Sequence, residues 1–270
     1  MALLAPPTGV PLRRAQVAGA ASAWAAEQLN GPERLAPVVH VGRDAVYVDL
    51  AGSAVGVLSR HATHVPCGIR TGLPGLAGIH GIGAARVGDT AVVGEGRLLL
   101  HDVETRVCLT VTTKAGPVHA PAALRTALVD NAVVHRVRAD LPAHALALLG
   151  AGDPAAVAAL LGLGGGLTPL GDDVLAGWLA TTAALGRQAQ PVGDRVGALA
   201  PTATTTLSAT LLACARRGDV LPEFRRLLAT RTGSDTARAL GELLRVGHSS
   251  GAGLALGCLL ALPADDRIPA

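Results

Sequence analysis

The sequence predicts an α+β fold: a mainly antiparallel β-rich N-terminal half followed by an all-helical C-terminal half. Three observations point there. Between residues 35 and 115, short runs rich in Val, Ile and Thr alternate with turn residues, as in Val38-Val39-His40-Val41 before Gly42-Arg43-Asp44. After Gly116-Pro117 the strand pattern stops and apolar residues recur at helical spacing. Strands followed by helices, rather than alternating with them, indicate α+β and not a doubly wound sheet. The expected division is 1–116, a β-rich region with a leading helix, and 117–270, a helical domain.

Taken in order, residues 12–30 read as that leading helix, ended by Gly31-Pro32. Strand-like runs follow at Ala45 to Leu50, Ala54 to Leu58, Ala91 to Val93, Arg97 to His101 and Val107 to Thr113. The Gly- and Pro-rich segment 60–83 reads as a long loop, or as strands with functional loops, and carries His61, His64, Cys67, Arg70 and His80. Helices are expected at 120–130, 142–150, 154–161, 170–186, 192–216, 222–229, 234–245 and 250–261. Arg216-Arg217 before Gly218 makes a good helix end, and Pro222 suits a helix start.

Composition narrows the function. The 270 residues include two tryptophans, one tyrosine and one phenylalanine, so the core must be built from Ala, Val, Leu and Gly. So few aromatics leave no stacking platform for single-stranded nucleic acid. A net charge of +3 without a basic stripe gives no electrostatic footprint for nucleic acid either. Lys114 is the one lysine, hence the one candidate for Schiff-base chemistry. The four cysteines are far apart with no CxxC pair, which argues against a zinc site and for buried thiols in a reducing compartment. Prolines interrupt the N-terminal apolar run, and the stretch from Gly251 to Leu262 is too short for a bilayer, so the expectation is a cytoplasmic protein with no membrane partner.

The stretch most loaded with chemistry is Gly162 to Gly177. Gly164, Gly165 and Gly166 permit close backbone approach to a ligand. Thr168 can cap a helix with Pro169 in its first turn, and free N–H groups there favour an anion. Asp172 and Asp173 together favour a proton to be moved or a divalent cation, Mg²⁺ or Mn²⁺. Their plainer role is to complement the helix dipole. A second helix opening, Gly247-His248-Ser249-Ser250-Gly251, matches G-x-S-x-G literally. A helix rather than a strand precedes it, which disfavours a serine nucleophile and favours a second anion cradle, with His248 able to donate or transfer a proton. A third opening, Thr202 to Ser208, is rich in hydroxyls. The three openings suggest one shared site. His61-x-x-His64 with Cys67 and Arg70 lacks a nearby acid for a metal cluster, although Arg70 can pair a carboxylate substrate. No Walker loop and no dinucleotide fingerprint is present.

The segment Gly164 to Gly177, GGGLTPLGDDVLAG, resembles the G-x-GLTP-x-GDD-x-L-x-G pattern of the AllH-type family. That family includes an accessory subunit of oxamate carbamoyltransferase in anaerobic allantoin breakdown. Ser208 and the turn from Gly247 to Gly251 resemble its later landmarks. The resemblance implies part in carbamoyl transfer, oxalurate plus phosphate giving oxamate plus carbamoyl phosphate, within an assembly with other carbamoyltransferase subunits. It implies a small anionic substrate: phosphate, carbamoyl phosphate or an oxamate-like acid. The residues expected at the site are then Asp172, Asp173 and His248 as proton-handling groups, with Gly164, Gly165, Gly166, Thr168, Ser208, Ser249, Ser250 and Arg70 binding substrate. The sequence departs from the family where the turn commonly continues S-G-x-D, since Gly253 stands at the acid's position. Two other readings fit the same residues: a metal-dependent hydrolase of a small amide or nucleotide-derived substrate, with Asp172 and Asp173 as ligands, and a non-catalytic anion-binding scaffold subunit.

Overall fold

The computed structural model describes residues 14–77 and 82–263. The N-terminal prolines and His80 lie outside those residues. Eight strands close into a barrel: β1 (Ala15–Ser22), β2 (Arg34–Val41), β3 (Ala45–Leu50), β4 (Ser53–Leu58), β5 (Gly68–Thr71), β6 (Thr90–Gly94), β7 (Arg97–Leu100) and β8 (Val103–Val111). Around the barrel the order is β1-β5-β4-β3-β2-β6-β7-β8. The pairs β1/β8 and β4/β5 run parallel, and the other neighbours run antiparallel.

This corrects the expectation of a mainly antiparallel β-rich half. The fold is α+β overall, but the sheet is mixed and closed on itself, which removes its edges over most of its length. The strand that closes it is the one the sequence disguises. Ala15–Ser22 is part of the predicted helix 12–30, yet it inserts between β5 and β8. Its alanines are good helix formers, and the two open strand edges beside it outweigh that preference. Gly19 allows the insertion, because a Cβ there would lie 2.5 Å from Ile69 Cγ2. A short helix α1 (Ala23–Leu29) follows, capped by the Ser22 hydroxyl accepting from the Ala25 N–H at 3.0 Å.

Ten further helices follow the barrel: α2 (Pro121–Val129), α3 (Ala132–Ala139), α4 (Ala143–Gly150), α5 (Ala155–Leu160), α6 (Leu170–Ala184), α7 (Gln190–Ala203), α8 (Thr206–Arg216), α9 (Pro222–Leu228), α10 (Gly233–Leu243) and α11 (Ser250–Ala261). The sequence reading missed α3, whose Asn131 side chain accepts from the N–H groups of Val133 and Val134. It also joined α7 and α8 into one helix. The chain breaks at Thr204, which is extended, and Thr205 caps α8 by accepting from Ser208 N–H at 3.0 Å.

The helical core forms around α6 and α11, both buried over nearly their whole surface. The two helices approach through glycines. A Cβ on Gly257 would stand 2.0 Å from the Val174 carbonyl oxygen, and one on Gly177 would stand 2.3 Å from that of Leu254. The barrel has its own apolar interior, built by residues such as Val48, Val57, Ile69, Val93 and Leu98. A third cluster joins the two layers, with Tyr47, Leu58 and Cys67 from the barrel side and Leu207 from α8. There the Ala54 N–H donates to the Thr210 hydroxyl at 2.8 Å, a buried bond from β4 to α8.

The glycine contacts involve backbone on both sides, so they cannot relax by changing a rotamer. Gly257→Ala is expected to destabilise the fold by about 3 kcal/mol, the upper part of the usual overpacking range. Urea unfolding measures this, and a change within error of zero would refute the close packing of α6 on α11.

Candidate functional site

The first turn of α6 carries both carboxyls, and both are buried: Asp172 is 1% exposed and Asp173 is 7% exposed. Their surroundings differ. Asp172 Oδ1 accepts from the Gly162 N–H at 2.6 Å. Its Oδ2 accepts from the Ser208 hydroxyl at 2.6 Å and from the Thr204 hydroxyl. Asp172 therefore ties together the glycine loop, the end of α7 and the start of α8. Asp173 faces the other way, into a cavity, and its Oδ2 is buried without a hydrogen-bond partner. Burial pushes its pKa from 3.8 to about 7, and the neighbouring Asp172 charge adds to the rise. The Ser250 and Thr168 hydroxyls favour the carboxylate and offset part of the rise, while engaging each other at 2.9 Å.

The helix opening differs in detail from the sequence expectation. Pro169 occupies the cap position and α6 begins at Leu170. Thr168 does not cap. Its hydroxyl turns to Ser250, the first residue of α11. That contact brings the first and second predicted openings together. The third joins through Asp172 and through the Thr205 hydroxyl, which donates to the Leu167 carbonyl at 2.6 Å.

The cavity, of about 380 Å³, lies where the barrel meets the helices. The helical part supplies Thr168, Asp173, Leu207, Leu211, Phe224, Gly247, Ser250 and Leu254, among others. The barrel part supplies His40, Asp44, Tyr47 and neighbouring residues. From the barrel the sequence reading took only Arg70, and the barrel residues that do line the cavity carry no motif. The one available signal is that Tyr47, the only tyrosine, sits in a strand that is apolar apart from Asp49. Burial raises the Tyr47 phenol well above its ordinary range and lowers the His40 imidazole.

Of the predicted residues, Thr168, Asp173 and Ser250 line this cavity. Asp172 and Ser208 lie beneath it, bonded to each other. Gly164, Gly165 and Gly166 are exposed on the adjoining loop, with Gly164 at φ +112° and Gly166 at φ +93°. His248 is exposed, Ser249 is half-buried at the cap position of α11, and neither lines the cavity. The element before this turn is α10, so the strand required by a nucleophile elbow is absent. Arg70 is exposed on β5, 3.1 Å from His64 Nδ1, and does not line the cavity. Lys114 is engaged with Asp219 at 3.0 Å. Cys67, Cys214 and Cys258 are buried and Cys108 is exposed.

Gly253 explains how Asp173 is held. A Cβ on Gly253 would stand 2.7 Å from the Asp173 Cβ, so α11 presses bare backbone against that residue. An acid at position 253 has no room in this packing.

Residues 160–262 match the family model described as oxamate carbamoyltransferase subunit AllH. Over that segment the chain is AllH-like. The AllH-like segment holds α6, α8 and α11, and so Asp172, Asp173, Ser208 and Ser250. The barrel lies outside it. No curated protein and no solved structure matches the chain. Among the described residues, no helix is long and apolar enough to cross a membrane.

The donor set does not suit Mg²⁺ or Mn²⁺. Both Asp172 oxygens are committed to protein donors, and no group of three or more His, Cys, Asp or Glu among the described residues is placed to hold an ion. Asp173 with two hydroxyls falls short of the oxygen-rich shell such cations require.

Two outcomes follow. Asp172→Ala leaves a part-buried N–H and two hydroxyls without their acceptor, and is expected to cost about 3 kcal/mol in urea unfolding. A loss below about 1 kcal/mol would show that the three bonds do not anchor the site. For Asp173 the folded-state pKa lies above the unfolded one. Below pH 3.8 both states hold the proton; between 3.8 and about 7 the unfolded chain releases it first, so stability falls as pH rises. Above pH 7 the accumulated cost levels off at about 4 kcal/mol. Asp173→Asn should remove that slope and be the more stable protein at pH 8. Parallel pH profiles for the two proteins would refute the raised pKa.

Proposed function

We propose that the chain is a subunit of an oxamate carbamoyltransferase-like enzyme of the cytoplasm, acting in purine nitrogen breakdown with other carbamoyltransferase subunits. The observation that carries this reading is Asp173: a buried carboxyl titrating near neutrality, facing a cavity, inside the AllH-like segment. Carbamoyl transfer from oxalurate to phosphate needs such a group. A phosphate oxygen attacks the ureido carbonyl, and the bond from that carbon to the oxamate nitrogen breaks. The departing nitrogen takes up a proton, and the attacking phosphate gives one up. A carboxyl with a pKa near the working pH can deliver the first and accept the second. In this reading Ser250 and Thr168 orient the reacting groups. Asp172 acts through position alone, by fixing the loop that precedes Asp173.

The test is thermal unfolding of the purified chain with oxalurate, oxamate, carbamoyl phosphate and phosphate, alone and with any co-purifying subunit. A ligand held at a hundred times its Kd stabilises the folded state by about 2.7 kcal/mol. Stabilisation by oxalurate, oxamate or carbamoyl phosphate is expected, and is expected to shrink in Asp173→Asn. No response to any of them, with or without partner subunits, would overturn the reading.

A further inference from the structure

The cavity is chemically lopsided. One wall holds the Asp173 carboxyl, whose buried Oδ2 has no partner in the protein. The rest is largely apolar, with Tyr47, Val65, Leu207, Leu211, Phe224 and Leu254 as its main side chains. Besides the Tyr47 phenol, the other ionisable groups on the lining are His40, Arg43, Asp44 and Asp219. Asp219 is already paired with Lys114 and with the Thr113 hydroxyl, and Asp44 accepts from Ser59. Arg43 is the only cation among them, and it is exposed. The buried part of the lining therefore offers no positive partner, and a neutral head is cheaper to bury there than a charged one.

A neutral carboxyl presents an O–H donor and a C=O acceptor side by side. A primary amide or urea presents the complementary pair: its N–H meets the acceptor and its carbonyl takes the O–H. The cavity volume of about 380 Å³ falls within the roughly 300–1,000 Å³ range of sites that enclose ligands much larger than a two-carbon acid. Apolar walls contribute to binding only when the ligand brings apolar surface to them.

We propose that this cavity takes an amide or ureide bearing an apolar substituent, branched aliphatic or aromatic. Its amide head pairs with Asp173 and its body lies against Tyr47, Leu207, Leu211 and Phe224. The inference rests on the proton-handling role given to Asp173 above, and it changes the departing amide from bare oxamate to a bulkier one.

Ligand-observed NMR titration of the full chain tests it, with acetamide, phenylacetamide, phenylurea and phenylacetate as probes. Phenylacetamide and phenylurea are expected to bind about tenfold tighter than acetamide, since they bury a ring. Phenylacetate, with the same ring and a negative head, is expected to bind about tenfold more weakly than phenylacetamide. Ala62→Leu, on a half-buried lining residue packed with the cluster of Tyr47 and Leu207, should weaken the phenyl amides about fivefold and leave acetamide unchanged. Equal affinity for acetamide and phenylacetamide, or tightest binding by phenylacetate, would overturn the inference. Oxalurate and oxamate run alongside separate the two readings. If they bind and the phenyl amides do not, carbamoyl transfer stands and the apolar-ligand inference falls. If the phenyl amides bind while oxalurate and phosphate yield no carbamoyl phosphate in the assembled enzyme, the inference stands and the transfer reading falls.

Discussion

Two adjacent carboxyls are buried in one helical turn, and the arrangement of the site follows from satisfying only one of them. An ionised carboxylate taken out of water must be fully hydrogen-bonded or must change its protonation. Asp172 follows the first course, with a backbone N–H and two hydroxyls. Asp173 follows the second, with a buried oxygen left without a partner. The two outcomes are linked. The bonds to Asp172 fix the loop at Gly162, the break at Thr204 and the start of α8, and these set the wall against which Asp173 stands. One carboxyl is thus structural, and its neighbour in sequence is left available for chemistry.

The pattern from Gly164 to Gly177 made the location of the site legible, but the division of labour within it was not. Residues 172 and 173 have the same side chain, and the positions of Gly162, Thr204 and Ser208 decide which is satisfied. His248 and Ser249 look more reactive in sequence than Ser250, yet the hydroxyl that reaches Thr168 belongs to Ser250. A turn followed by a helix fixes the presence of a hydroxyl cluster, but not which member faces inward. The barrel side of the cavity was illegible for another reason. His40 and Tyr47 come from neighbouring strands with no motif, and only closure of the sheet carries them to the helices.

The barrel itself shows how local preference and global need diverge. The alanine-rich residues 15–22 have helical composition, and nothing within them specifies a strand. Their conformation is set by β5 on one side and β8 on the other, residues about fifty and ninety positions distant in sequence. Most helices of the second half, whose bonds are local, were placed correctly. The break at Thr204 was missed because what holds it open is Asp172, more than thirty residues earlier.

The cavity belongs to neither layer alone. Tyr47 and His40 form one side of it, Asp173 and Phe224 the other, and the seam is held by a few contacts such as Ala54 to Thr210. A ligand seated there touches both halves of the chain and so acts as mortar between them, resisting their separation. The AllH-like segment, cut away from the barrel, would keep its carboxyl but lose the chamber that gives the carboxyl something to act upon.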